Sequence, residues 1–380
     1  MLIMAMAMPM LLLYAIGALG PFLVEDLDIA PASLGYFTLG SFGIAALLSL
    51  KAGYIVNRLG IRYSQCILFL SVAATFCMLA ILPGFYSLLA AATLIGFAQA
   101  LANPVTNLII TRQIAPQQKA FTVGLKQSGV QLAALFAGLL LPVSALQFGW
   151  RPTFAAIAPI AVLLALLGWY QNASSPSAPA TPQTGAINNR LKLLMAVQCC
   201  VGILLSAFIT YLPVYAFSLG MQPTQAGMMI AAFGMTGMVS RLILTPLGAR
   251  LHEEAFLLAG LLCISALSII LIFQAPTYGT LLLWIAVIGM GATAVATNAI
   301  AMNMLIRDSG FGHISMTSGI VSAAFFAGFA IGPSSAGELA RRSGTLTHSW
   351  WVLLGITLLA IILAFCLAWV RHREAVHATA

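Results

Sequence analysis

The chain has 380 residues, 61% of them hydrophobic and only 6% charged, with a mean hydropathy of +1.03. A water-soluble domain carries about a quarter charged residues, so this composition excludes one and points to a polytopic membrane protein. The formal charge of +8 comes from basic residues scattered singly. That spacing argues against a nucleic-acid surface and for orientation signals at the ends of spans.

Nothing in the sequence carries an enzyme signature. Cys66, Cys77, Cys199, Cys200, Cys263 and Cys366 all fall inside apolar runs and show no zinc or disulfide spacing. Histidines and acids do not cluster as metal ligands. No phosphate-cradling loop appears. Neither a metal nor a cofactor is expected, and the chain is not expected to be an enzyme.

A span needs about 20 apolar residues. In chain order this rule predicts twelve: 2–24, 33–53, 62–82, 85–111, 117–142, 151–170, 191–218, 223–248, 254–274, 278–305, 314–338 and 347–370. The first ten residues are apolar with no basic leader, so they read as the start of the first span rather than a signal peptide. A few residues upstream of them are expected to be missing. Residues 172–190 are rich in Pro, Ser, Ala and Thr and cannot bury a core, so they read as a flexible linker. The linker divides an N-terminal half, 1–171, from a C-terminal half, 191–380.

The turns alternate in chemistry. One side holds Arg58, Arg62, Arg112, Lys119, Arg190, Lys192, Arg250, Arg307, Arg371 and Arg373, ten basic residues. The other holds three, Arg151, Arg341 and Arg342, with Glu25, Asp26, Asp28 and Glu338. Lys and Arg next to a span resist translocation, so both termini and the linker are expected in the cytoplasm of a bacterium whose inner membrane the chain crosses.

The turn after the second span reads GYIVNRLGIRY. Gly53, Asn57, Arg58, Gly60 and Arg62 stand at the spacing Gly, three residues, Asp or Asn, Arg, one residue, Gly, one residue, Arg. This resembles the loop between helices 2 and 3 of the major facilitator superfamily. Gly60 suits the positive-φ residue that ends a helix. The resemblance implies an all-α membrane fold of twelve helices in two pseudo-symmetric six-helix halves. It also implies that Arg58 belongs to a conformational latch, whereas Arg62 reads equally well as a topology signal.

The halves repeat each other. Pro21 and Gly35 recur as Pro213 and Gly227, 192 residues on; Thr106 and Asn107 recur as Thr297 and Asn298, 191 on; Gly129 and Gly138 recur as Gly319 and Gly328, 190 on. Arg58 falls opposite Arg250 in a second turn that has gained Glu253 and Glu254. Repeats of this kind place a substrate site between the halves.

Two cations stand inside predicted spans. Lys126, in GLKQSGVQ of span 5, lies too deep to snorkel comfortably and should face a cavity or a partner. The segment resembles bacterial permeases of the cyanate type. Arg241, in span 8, could grip a carboxylate with two parallel hydrogen bonds. Its surroundings resemble helix 8 of monocarboxylate transporters and oxalate exchangers, except that Gly237 stands where those transporters carry an acid. The resemblance makes spans 5 and 8 neighbours, so the two cations could clamp one anion. The plain alternatives are a lysine reaching the surface and an arginine at the gate.

Span 4 carries Gln99, Asn103 and Asn107 on one face, beside Pro104. Span 10 offers Thr293, Thr297 and Asn298. Span 7 offers Ser206, Thr210, Tyr211 and Tyr215. Tyr14, Gln127 and Gln131 complete the polar inventory. Of these, Asn103, Asn107, Tyr211 and Asn298 are the second-rank candidates for substrate contact; helix packing explains them as well. In span 11, Gly319, Gly328, Gly332 and Pro333 resemble the glycine pattern of antiporter helix 5, with Pro333 expected to kink or end the helix.

All eight acids fall in turns, ends or tails, so no buried carboxylate is available to relay protons or to hold a cationic drug. His313 reads as a surface residue. The function expected is secondary transport of a small organic or inorganic anion by alternating access, by a monomer in a lipid bilayer, with a co-transported proton. The alternatives are efflux of amphipathic compounds through a pocket lined by Met228, Met229, Met235 and Met238, and a non-transporting sensor.

Overall fold

The computed structural model describes residues 1–171, 188–248, 250, 251, 253–312 and 314–379. The greater part of the linker therefore lies outside the described residues, as does His313. A chain this apolar can cross a bilayer only if its backbone bonds internally, so helices dominate. They run α1 (Leu2–Ala18), α2 (Gly20–Asp26), α3 (Leu34–Ile81), α4 (Phe85–Thr93), α5 (Ile95–Gln113), α6 (Pro116–Phe148), α7 (Trp150–Ala155), α8 (Ile157–Gln171), α9 (Asn189–Ser218), α10 (Pro223–Gly248), α11 (Glu254–Tyr278), α12 (Leu281–Arg307), α13 (Ile314–Ser343) and α14 (Thr347–Thr379).

Among the described residues ten helical segments are long and apolar enough to cross a membrane, and the bent pair α1–α2 makes an eleventh. The twelfth lies inside α3. At about 1.5 Å per residue, a straight helix of its 48 residues would be more than twice as long as the roughly 30 Å of hydrocarbon. It is broken at Gly60, where φ is 80° and ψ 168°, a conformation that is essentially glycine's alone. The positive φ expected there is present, and spans 2 and 3 meet at this residue. The architecture is the twelve-helix, two-half fold of an integral membrane protein.

Span 1, expected over residues 2–24, is present as a bent pair that turns by 66° between α1 and α2. Pro21 lacks the N–H that would reach the Gly17 carbonyl, and the helix breaks there. Pro333, in contrast, neither ends nor shortens α13, which continues to Ser343. Glu338, Arg341 and Arg342, assigned to a turn, sit on the last turns of this helix. There Glu338 accepts hydrogen bonds from both arginines, at 2.7 Å each.

Helices α3 and α13 pack on each other, as do α6 and α10, so spans 2 and 11 and spans 5 and 8 form the seams between the halves. Within the C-terminal half, the end that carries the basic turns is held by ion pairs. Arg371 reaches Glu253 at 2.8 Å, Asp308 at 3.3 Å and Glu254 at 3.5 Å; Arg307 meets Glu254 at 2.6 Å; and Arg190 meets Asp308 at 3.3 Å. These contacts explain the acids that entered the second basic turn. Burial pushes the Glu253 carboxyl up, and the Arg371 guanidinium beside it pulls the other way. The N-terminal half solves the same problem without acids: the Arg62 guanidinium lies 3.7 Å from the Trp169 ring centroid, joining spans 3 and 6.

Removing one partner of a buried ion pair leaves an uncompensated charge, which costs about 3–5 kcal/mol. Arg371 is 11% exposed, whereas Arg341 is 61% exposed. Arg371→Ala should therefore lower the thermal midpoint of the detergent-purified protein clearly, and Arg341→Ala should change it little. Equal midpoints for the two variants would remove the structural role assigned to the cluster.

Candidate functional site

Both buried cations lie in the seam region. Lys126 is 1% exposed on α6, and its Nζ donates to Asn107 Oδ1 at 2.6 Å, Thr106 Oγ1 at 2.9 Å and Asn103 Oδ1 at 3.4 Å. An ammonium has three donors, and the face of α5 supplies three oxygens. The polar stripe of span 4 thus exists, and its first use is to solvate a lysine. Asn103 also accepts from Gln127 Nε2 at 3.4 Å.

Arg241 is 6% exposed on α10. Its Nε donates to the Val295 carbonyl of α12 at 3.2 Å, and its Nη1 to the Gln127 carbonyl of α6 at 2.7 Å. The side chain therefore bridges the halves. Its Nη2 meets no partner among the described residues, and the residue lines the cavity between the halves. Gly237, one turn earlier, is occupied in a specific sense: a Cβ there would come within 2.8 Å of Gln131 Nε2 and 2.9 Å of the Val295 side chain. Gln131 fills the place and accepts from the Tyr14 hydroxyl at 3.0 Å.

The cavity measures about 50 Å³, room for a few waters. Its polar lining is Arg241, Asn103, Gln127, Gln131, Tyr14, Gln99, Asn298 and Ser322; its apolar lining includes Phe233, Phe325, Phe326 and Phe329 with methionines. No acid lines it. Asn298 donates to Gln198 Oε1 at 3.0 Å, while Gln198 Nε2 has no partner among the described residues.

Of the six residues singled out for substrate contact, Arg241, Asn103 and Asn298 line this cavity. Lys126 and Asn107 lie behind Asn103 and do not. The two cations do not converge on a common point: Lys126 turns to α5, Arg241 to α6 and α12. Tyr211 is elsewhere. Its hydroxyl stands 2.9 Å from both the Ala32 and the Pro333 carbonyl oxygens, at the end of the bundle opposite the basic turns. The methionines nominated from the sequence also lie outside the lining. Met228 and Met235 are 45% exposed on the outer face of α10; the methionines at the cavity are Met6, Met10 and Met302.

Sequence reasoning missed the phenylalanine wall and Gln198. Phe325, Phe326 and Phe329 belong to the helix already read for its glycines. Gly328 and Gly332 pack against the Cys199 and Ile203 backbone of α9, which leaves the phenylalanines to the cavity. Reading α13 face by face would have found them.

The far end is sealed by two contacts that repeat with the sequence. A Cβ on Gly35 would lie 2.6 Å from the Pro333 carbonyl carbon, and one on Gly227 would lie 3.3 Å from Pro142 Cβ and closer still to its Cγ. Gly35 and Gly227 are partners in the repeat, and Pro142 and Pro333 lie 191 residues apart. Toward the basic end two glycines face open space. Nothing approaches within 4 Å of a Cβ built on Gly53 or Gly124. Asn57 is half-buried and Arg58 exposed, and neither makes a hydrogen bond or ion pair among the described residues.

Forcing a side chain into such a contact costs about 1–3 kcal/mol, enough to shift a closed–open equilibrium by roughly tenfold. Gly35→Val should therefore lengthen the distance between spin labels on Pro83 and Thr345, exposed residues of opposite halves at this end. Gly43→Val, on the same helix but facing open space, should leave that distance unchanged. No change with Gly35→Val would show that the contact does not hold the end closed.

The Major Facilitator Superfamily family model matches residues 1–314. A "Probable sugar efflux transporter" of Helicobacter pylori is 25% identical over 315 residues, 82% of this chain and 80% of that protein. A "Hexuronate transporter" of Bacillus subtilis is 25% identical over 158 residues, 41% of this chain and 37% of that protein. A "Probable anion transporter 6" of Oryza sativa subsp. japonica is 27% identical over 141 residues, 37% of this chain and 33% of that protein. The chain thus spans only about a third of the length of the hexuronate and anion transporters. Among solved structures, a bacterial homologue of the human lysosomal transporter Spinster, in an inward-facing and occupied conformation, superposes with a TM-score of 0.74. It is 16% identical, and the match covers 96% of this chain and 95% of that one. With a family match over most of its length and the same twelve-helix fold, the chain belongs to the Major Facilitator Superfamily.

Proposed function

We propose that the chain is a secondary transporter that moves a small anion across a bacterial inner membrane by alternating access. The observation that carries this reading is Arg241: a buried guanidinium between the halves, with one nitrogen unpartnered at the cavity and no carboxylate nearby to neutralise it. A charge kept at such a cost in an apolar bundle is normally functional. Asn103 and Asn298 add polar contacts from the two halves. Lys126 and Asn107 act one layer back: the ammonium raises the positive potential of the wall and fixes Asn103.

The halves are residues 1–171 and 191–380, joined by the linker 172–190. With the basic turns and both termini in the cytoplasm, the sealed end holding Gly35, Gly227, Pro142, Pro333 and Tyr211 is the outer gate, so the conformation described is inward-facing. Gly53, Asn57, Arg58, Gly60 and Arg62 form the latch of the inner gate, disengaged in this state. The chain works as a monomer. Any coupling proton enters with the substrate, because the cavity wall carries no acid to relay it. The names of the hexuronate and anion transporters fit an anionic substrate.

A second reading is efflux of amphipathic compounds. The methionine-bearing apolar wall favours it, since Met adapts to varied shapes.

The test is uptake of radiolabelled mono- and dicarboxylates and inorganic anions into liposomes containing the purified protein. A hydrogen-bonded charge contact is worth about 1.5–3 kcal/mol, so Arg241→Gln should lower saturable anion uptake by roughly 10–100-fold. Lys126→Ala should also lower it, with Asn103 left unsupported. Unchanged uptake in Arg241→Gln would overturn the anion reading. Export of a fluorescent amphipathic dye that is insensitive to both substitutions would move the assignment to efflux.

A further inference from the structure

We infer that the cavity, on widening beyond its present volume of about 50 Å³, takes an amphipathic monoanion: one carboxylate on an aromatic or bulky apolar body, rather than a dianion, an inorganic anion or a polyhydroxylated acid. This rests on the anion reading above and narrows it.

The charge count comes from the two cations. Arg241 presents free N–H donors to the cavity. Lys126 has all three donors engaged by Asn107, Thr106 and Asn103 and lies outside the lining. The cavity therefore offers one cation for direct contact, and a second carboxylate would meet the Lys126 charge only through Asn103, without an ionic partner of its own.

The body of the ligand is specified by the phenylalanines of the lining. Phe325, Phe326 and Phe329 of α13 and Phe233 of α10 face the same space. They are themselves held in place by ring contacts: Phe329 lies 4.5 Å from Phe325 and 4.8 Å from Phe42, and Phe233 lies 5.8 Å from Phe208. A phenyl ring set against such a wall gains edge and stacking contacts. The hydroxyls of a sugar acid would instead lose their water against carbon, with few partners to replace it. Gln99 and Asn103 of α5 and Gln127 and Gln131 of α6 line the cavity together with Arg241, whose Nη1 donates to the Gln127 carbonyl, so several polar side chains accompany the one charge.

The experiment is equilibrium binding to the detergent-purified full chain, with radiolabelled benzoate as probe and unlabelled acetate, glucuronate, terephthalate and benzamide as competitors. Benzoate should bind saturably, at least about tenfold tighter than acetate or glucuronate, the discrimination expected of a well-fitted apolar pocket. Terephthalate should compete poorly because of its second charge, and benzamide because of its lack of one. Phe326→Ala should shrink the benzoate-to-acetate ratio toward unity; Phe326→Leu, a milder change, should reduce it in part and covers the case in which the alanine variant fails to fold. Arg241→Gln should abolish benzoate binding.

Glucuronate, acetate or terephthalate binding as tightly as benzoate, and still lost in Arg241→Gln, would overturn this inference and leave the anion reading intact. An unchanged ratio in both Phe326 variants would also overturn it. Absence of any Arg241-dependent binding across the panel would overturn both together.

Discussion

A positive charge inside an apolar bundle has to be met by something, and much of this molecule is arranged around that requirement. Water is absent from the hydrocarbon, so an unmatched ammonium or guanidinium is expensive there. The protein answers the requirement in three different ways. Lys126 is wrapped by neutral oxygens from the neighbouring helix. Arg62 is laid over an indole ring. Arg371, Arg307 and Arg190 are paired with Glu253, Glu254 and Asp308. Arg241 is met differently again: two backbone carbonyls take two of its donors, and its Nη2, without a partner among the described residues, stands at the cavity. That placement sets Arg241 apart from the other basic residues.

The halves rest on each other through contacts that do not tolerate side chains. Gly35 against Pro333 and Gly227 against Pro142 bring helix backbones together at the end opposite the basic turns. Packed interfaces of this kind are bistable rather than continuously deformable. A transporter needs such a seam, because closing one end must coincide with release of the other. Tyr211 shows how tight the closure is: its single hydroxyl proton is shared between carbonyls of two different halves.

Much of the architecture was legible before any coordinates. Twelve apolar runs, the glycine at position 60 and the 190–192-residue repeat all survive, because each reflects a local rule: span length, the conformational need of a turn, duplicated helix contacts. The errors have equally local causes. Helix ends ran past the apolar stretch, as at Ser343, because charged residues go on forming helix once the chain leaves the hydrocarbon. The bend at Pro21 was passed over because hydropathy averages do not register a missing donor.

The site was legible only in part. The sequence by itself determined which polar and charged residues lie at membrane depth, since any lysine, arginine or asparagine within an apolar run stands out against its neighbours. It could not determine where those side chains point. Lys126 and Arg241 looked like a pair because the family resemblance makes spans 5 and 8 neighbours; the rotation of α6 turns one toward α5, while α10 aims the other at the seam. Tyr211 looked like a ligand group, and its hydroxyl lies between the Ala32 and Pro333 carbonyls at the far end, away from the cavity. The phenylalanine wall was invisible, because an apolar residue in an apolar helix carries no signal until packing decides which face meets a cavity and which meets lipid. Depth is written along one chain, but direction depends on how several helices are rotated against each other, and only the tertiary structure contains that.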